Sequence, residues 1–265
     1  MTDINQGIEP NRTMPTPFSH LATLHRLLQA DDLPAATRTA LTAEQSAYLL
    51  GSVAPDARID APDSRAATHF YTYTEPITQA PWRVMLSRYP SLQKPESAAQ
   101  RAFVGGYVAH LAMDEVWTKQ MLGPHFAFGE WGESRQQRFY LLHLLLSHMD
   151  ERDLADLPPD VPKVLHAARP GDWLPFMPLA VLAGWQQLID RQLRPGGHSR
   201  TLEIFGKRVG HSAAEMRQQL DDTAWMQRQL WDHVPPSVLA DIEAHMRDHA
   251  HESLLAYWQL SEPAS

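Results

Sequence analysis

Apolar positions recur at helical spacing along most of the chain. Leu21, Leu24, Leu27 and Leu28 form one stripe behind Thr16-Pro17-Phe18-Ser19, where Pro17 suits a first helical turn. Asp31-Asp32-Leu33-Pro34 breaks that helix. A second run, about 42–50, opens on the capping pattern Thr42-Ala43-Glu44-Gln45 and ends at Gly51. Pro55-Asp56 reads as a turn, and Asp60, Pro62 and Asp63 continue as loop. Residues 64–71 suit a short helical or extended segment. Pro76, Pro81, Pro90 and Pro95 make 75–96 irregular, with a short helix near 82–89. Ser97 then caps a long helix to about Leu122, which Gly123-Pro124-His125 ends.

Phe126, Phe128 and Trp131 follow as an aromatic loop. The stripe Phe139, Leu142, Leu145 and Leu146 predicts a long helix over about 134–155, stopped by Leu157-Pro158-Pro159. A short helix near His166, a proline-rich break to Pro178 and a helix over about 179–192 come next. Pro195-Gly196-Gly197-His198-Ser199 is a candidate mobile turn, and two helices, about 212–231 and 236–259, close the chain. No strand alternation and no repeat is visible. The expectation is an all-α fold of about eight to ten helices. Residues 1–13 read as a disordered lead-in, 14–170 as a helical core that binds metal, and 171–262 as a C-terminal helical region packed on the core.

Within the long central helix, polar residues interrupt an otherwise buried pattern. Small residues at Gly105, Gly106, Ala109 and Ala112 alternate with bulky apolar ones, and His110 and Asp114 stand four apart on one face. A buried imidazole and carboxylate must be paired or bound, because unpaired burial is costly. Two readings follow: a hydrogen-bonded pair inside a bundle, or two ligands of one metal ion.

Composition narrows the chemistry. Hydrophobic content of 43% and charged content of 20% describe an ordinary globular protein. A net charge of −8 argues against general binding to nucleic-acid backbones. With no cysteine, a transition-metal site must use His, Asp, Glu, backbone or water, and 14 histidines lean toward such a site. The polar residues 1–14 do not read as a signal peptide, and no apolar run is long enough to span a membrane, so a cytoplasmic location is expected.

His20 shares the inward face of the first helix, Asp56 sits in an apolar turn, and His69 is flanked by Phe70 and Tyr71. With His110 and Asp114 they make three imidazoles and two carboxylates, the donor set of a zinc cluster. The remaining histidines carry less. His245, His249 and Glu252 share a face of the last helix, but their charged neighbours suggest a solvated surface. His143 and His148 are five apart and do not align. An adjacent His-Asp pair, as an HD-type phosphohydrolase needs, is missing.

In order, His20 behind Met14-Pro15, then Leu50-Gly51-Ser52-Val53-Ala54-Pro55-Asp56, then Thr68-His69-Phe70, then Gly106-Tyr107-x-x-His110-Leu111-x-x-Asp114, the chain resembles the prokaryotic zinc-dependent phospholipase C family, which is related in fold to the S1/P1 nucleases. The resemblance covers residues 14 to about 122. It implies an all-helical bundle with a metal cluster in a cleft. It also implies that Asp56, His69, His110 and Asp114 hold one zinc, and that Asp114 bridges toward a second, which His20 helps to bind.

The chain departs from that family in three places. No Trp stands near the start to act as an N-terminal ligand. Gln120 stands where a further histidine is expected. On the next long helix, His143 is followed at four residues by Ser147, and His148 by Arg152, instead of by an acidic partner. One or two zinc ions are therefore expected rather than three. The functional expectation is hydrolysis of a small-molecule or lipid phosphodiester by a metal-activated water, with Asp56 also orienting or deprotonating that water. The alternative is a non-catalytic helical metal-binding or interaction protein that has lost part of the cluster.

Overall fold

The computed structural model describes residues 16–60 and 65–262, all helix, turn and loop, with no strand among them. The lead-in expected at 1–13 lies outside the described residues. The helices are α1 (Pro17–Gln29), α2 (Ala35–Ala43), α3 (Gln45–Val53), α4 (Arg65–His69), α5 (Pro81–Arg88), α6 (Ala98–Val116), α7 (Arg135–Asp156), α8 (Val161–Ala167), α9 (Leu179–Leu193), α10 (Thr201–Val209), α11 (Ala213–Asp221), α12 (Thr223–Met226) and α13 (Pro236–Leu260). A 3-10 segment, Ala54–Asp60, extends α3, and another spans Pro90–Gln93. Wider π-helical turns extend α6 through Trp117–Ala127 and α12 through Gln227–Trp231. No described helix is long and apolar enough to cross a membrane.

The central helix is the axis of packing. Every residue of α6 from Ala102 to Val116 is buried. Its most extensive neighbours are α3 on one side and α13 on the other, while α1 packs on α3 and α7. Two glycines set these distances. A Cβ at Gly106 would lie 2.1 Å from the Tyr48 carbonyl oxygen, and one at Gly51 would lie 2.0 Å from that of Phe103. Backbone therefore meets backbone between α3 and α6. Gly105 faces the other way, where a Cβ would come 3.0 Å from Leu254 Cδ1 of α13. One apolar cluster runs from Phe18 to Trp258, joining both halves of the chain.

Several boundaries differ from those the sequence suggests. The run expected at 42–50 is two helices that meet at Glu44, so the Thr42 capping pattern lies inside the last turn of α2 and caps nothing. Gly123-Pro124 does not end the central helix. The chain winds on in π turns to Ala127, with the Phe128 amide donating to the Gly123 carbonyl, a five-residue spacing that absorbs a proline with no N–H to give. The closing stretch of two expected helices contains more elements. α10 precedes it, and α11, α12 and a π turn occupy 213–231. The cap at Ser97 forms as expected, and Ser134 caps α7 in the same way, each accepting from the amide three residues on.

Candidate metal centre

Four elements deliver polar side chains to one buried point beside α6. α1 contributes His20, the 3-10 turn after α3 contributes Asp56, α4 contributes His69, and α6 contributes His110 and Asp114. His20, His69, His110 and Asp114 are fully buried, and Asp56 nearly so. A sharp bend fixes His69. Phe70, just after it, has φ +63°, unusual for a bulky residue, and its ring is held edge-on against Phe176 and Tyr89.

Asp114 sits at the focus. Its Oδ1 lies 3.4 Å from His20 Nε2, and its Oδ2 lies 3.4 Å from His69 Nε2 and 3.6 Å from His110 Nε2. Asp56 Oδ1 lies 3.7 Å from His69 Nε2. These separations exceed the usual N–H···O range of about 2.7–3.2 Å. They match the spacing of donors around one ion: two ligands, each about 2.1 Å from a tetrahedral zinc, sit roughly 3.4 Å apart. His20, Asp56 and His110 present ligand atoms within 4.8 Å of one another, and so do His69, His110 and Asp114.

The rings are oriented as metal ligands are. His110 Nδ1 donates to the Ser52 carbonyl at 2.7 Å, which turns Nε2 toward Asp114. Thr68 Oγ1 lies 2.9 Å from His69 Nδ1 and holds that ring in the same sense. His110 Nε2, both nitrogens of His20 and Asp114 Oδ1 are buried with no hydrogen-bond partner. Buried polar atoms are normally satisfied, so this set of orphans fits a bound cation.

Charges in the cluster oppose one another. Burial, and then neighbouring His110, push the His20 pKa down, so its ring is held neutral. Burial works against a charge on His110 too, but the nearby Asp114 and Asp56 carboxylates more than offset it and raise the pKa. Asp114 is held well below the usual carboxylate range: burial works against its charge, but His110 and the Arg65 guanidinium outweigh it. Metal ligation needs neutral imidazoles and an ionised carboxylate; His20 and Asp114 are already held in those states, while a cation would have to displace the proton that the carboxylates favour on His110.

Arg65 is the site residue that sequence reasoning passed over. It is 6% exposed, and its Nη2 donates to Asp114 Oδ2 at 2.5 Å and to the Tyr71 hydroxyl at 2.6 Å. The signal was its place one helical turn before His69 on α4, the spacing that also relates His110 and Asp114.

The secondary candidates lie elsewhere. Gln120 is exposed and accepts from His245 Nδ1 at 2.9 Å. Ser147 is buried and donates to the His143 carbonyl. His143 is buried with Nδ1 on the Phe139 carbonyl, whereas His148 is exposed. His249 lies 3.4 Å from Glu115, on the face of α13 that also carries exposed His245 and Glu252. In the aromatic loop, Phe126 is buried, Trp131 is half-buried and Phe128 is 80% exposed.

Fold and site together define an all-α protein with a buried histidine–carboxylate cluster able to hold a metal ion. No known family model, no curated protein and no solved structure matches the chain.

Proposed function

We propose that this protein is a zinc-dependent hydrolase of phosphodiesters, with a helical bundle of the phospholipase C/P1 nuclease type. The carrying observation is the ring of donors around Asp114. Histidine nitrogens and carboxylate oxygens stand at the separation of ligands on a common ion, and several of those buried atoms lack any other partner. His20, His69, His110, Asp56 and Asp114 are the residues that would hold one or two zinc ions. Zinc bound there supplies Lewis acidity and lowers the pKa of water.

The remaining roles belong to the chain's own groups. Ser52 and Thr68 fix the ring orientations of His110 and His69. Asp56, the least buried of the five, would orient an attacking water and take its proton. The walls of apolar α3 and α6 residues exclude bulk water and strengthen every charge interaction within.

The test is turnover of a chromogenic phosphodiester, bis(p-nitrophenyl) phosphate, by the zinc-loaded protein against the chelated protein. Zinc-dependent turnover is expected. No turnover across a broad pH range with full zinc content favours the second reading, a structural metal in a non-catalytic helical protein. That reading draws on the complete burial of His20, His69, His110 and Asp114.

A further inference from the structure

Arg65 is a buried cation with most of its donors unused. A guanidinium carries five N–H donors, and only Nη2 of Arg65 is engaged, by Asp114 and Tyr71. Its Nε and Nη1 are buried and have no hydrogen-bond partner. Two neighbouring aromatic rings pack against the group, with Cζ 4.9 Å from the Tyr71 centroid and 5.0 Å from that of Tyr73. Tyr71 is itself tied at 3.0 Å to Thr118 on the π turns after α6, so the guanidinium has little freedom to swing away.

A structural salt bridge to Asp114 accounts for one of its nitrogens and leaves the other two unexplained. A fixed guanidinium with spare N–H groups is the protein group best matched to a tetrahedral oxyanion. It also stands where charge is short. Gln120 and Ser147 are engaged by other partners, His245 and the His143 carbonyl. The positive charge that an additional metal ion would bring must come from elsewhere.

We propose that Arg65 is the anion-binding residue of this centre, taking the place of an additional metal ion and pairing with a non-bridging oxygen of the substrate's phosphate. The inference rests on the reading of the cluster as a zinc site that acts on phosphodiesters. It adds that the site selects an anionic, tetrahedral phosphoryl group over a neutral carboxylic ester. Asp114 then has two tasks, ligating metal and holding the arginine in register.

The experiment measures zinc content and inorganic phosphate binding, by elemental analysis and calorimetry, for the zinc-loaded wild type, Arg65→Met and Arg65→Lys. Expected are wild-type zinc content in both variants, a loss of phosphate affinity of at least tenfold in Arg65→Met, and partial recovery in Arg65→Lys, whose point charge lacks the fork. Phosphate binding equal to wild type in Arg65→Met at full zinc content overturns the inference. So does loss of zinc from both variants, which would make Arg65 a support for Asp114 only. So does a zinc-loaded wild type that binds no phosphate. Because binding is read without turnover, a protein that binds phosphate through Arg65 and yet cleaves no diester refutes the hydrolase reading and leaves this inference standing.

Discussion

The imidazoles of His20 and His110 stack face to face, with ring centroids 3.7 Å apart and planes within 15°. Two imidazolium rings cannot share that contact without strong repulsion, so at least one ring is neutral in the metal-free protein. Burial selects His20, whose two ring nitrogens have no hydrogen-bond partner. Such a residue weakens the empty protein and is of use only when something binds it. His20→Leu, of similar volume, therefore raises the stability of the chelated protein by about 1 kcal/mol, since a buried unsatisfied polar group is removed. The same substitution lowers zinc content. Thermal melts of the chelated variant check the first half, and a lower Tm than wild type would count against it.

Asp114 answers differently because it neutralises Arg65. Removing one partner of a buried ion pair leaves the other charge uncompensated, at about 3–5 kcal/mol. Asp114→Ala thus loses zinc and is also strongly destabilised without zinc. His110→Ala loses zinc at a smaller cost to the metal-free fold, because no buried cation depends on it. Elemental analysis beside urea denaturation separates the two effects. Full zinc content in either variant would remove the residue from the proposed ligand set.

The all-α class and the shared face of His110 and Asp114 were legible in the sequence because helical period fixes both. Arg65 was not. It stands one turn from His69, as Asp114 does from His110, but arginine belongs at the surface by default, and only tertiary packing brings it beneath Tyr71 and Tyr73. The break at Glu44 and the π turns through Pro124 were hidden for a related reason. Local signals at Thr42 and Gly123 imply a start and a stop, yet long-range packing of α3 and of Trp117, Met121 and Phe126 overrides them.

The close contact of α3 with α6 is what brings Asp56 and His110 together. At Gly106 and Gly51 an added methyl would strike backbone carbonyl oxygens, which cannot rotate aside. Gly106→Ala or Gly51→Ala must part the helices, at about 2–3 kcal/mol for overpacking. The parting also shifts the 3-10 turn that carries Asp56 and loosens the Ser52 carbonyl from His110. Both variants are expected to lose stability and at least tenfold in zinc affinity. Gly184→Ala, inside α9 where a Cβ meets nothing within 4 Å, is the control: it leaves zinc affinity unchanged and lowers no stability, since Ala favours the helix by up to about 1 kcal/mol.

A second buried carboxylate gives the fold a pH dependence of its own. Asp150 of α7 accepts from the Thr201 hydroxyl at 2.6 Å, from the Ser199 hydroxyl, and from the Phe18 amide at 3.4 Å, tying α10 and the start of α1 to α7. Burial pushes its pKa up to about 6, beyond what these donors pull down. The folded protein thus holds this proton more tightly than the unfolded chain, where the value is near 3.8. The resulting stabilisation is fully present below about pH 3.8 and is lost as pH rises through about 6. Above that, the ionised group weakens the fold by about 3 kcal/mol relative to its protonated form. Asp150→Asn keeps an acceptor and adds a donor that either hydroxyl can take. Urea denaturation from pH 4 to 7.5 should find the variant more stable than wild type near neutrality, with the difference shrinking toward pH 4. A variant less stable than wild type by the same amount at every pH would show that the hydrogen bonds, not the buried charge, set the contribution of Asp150.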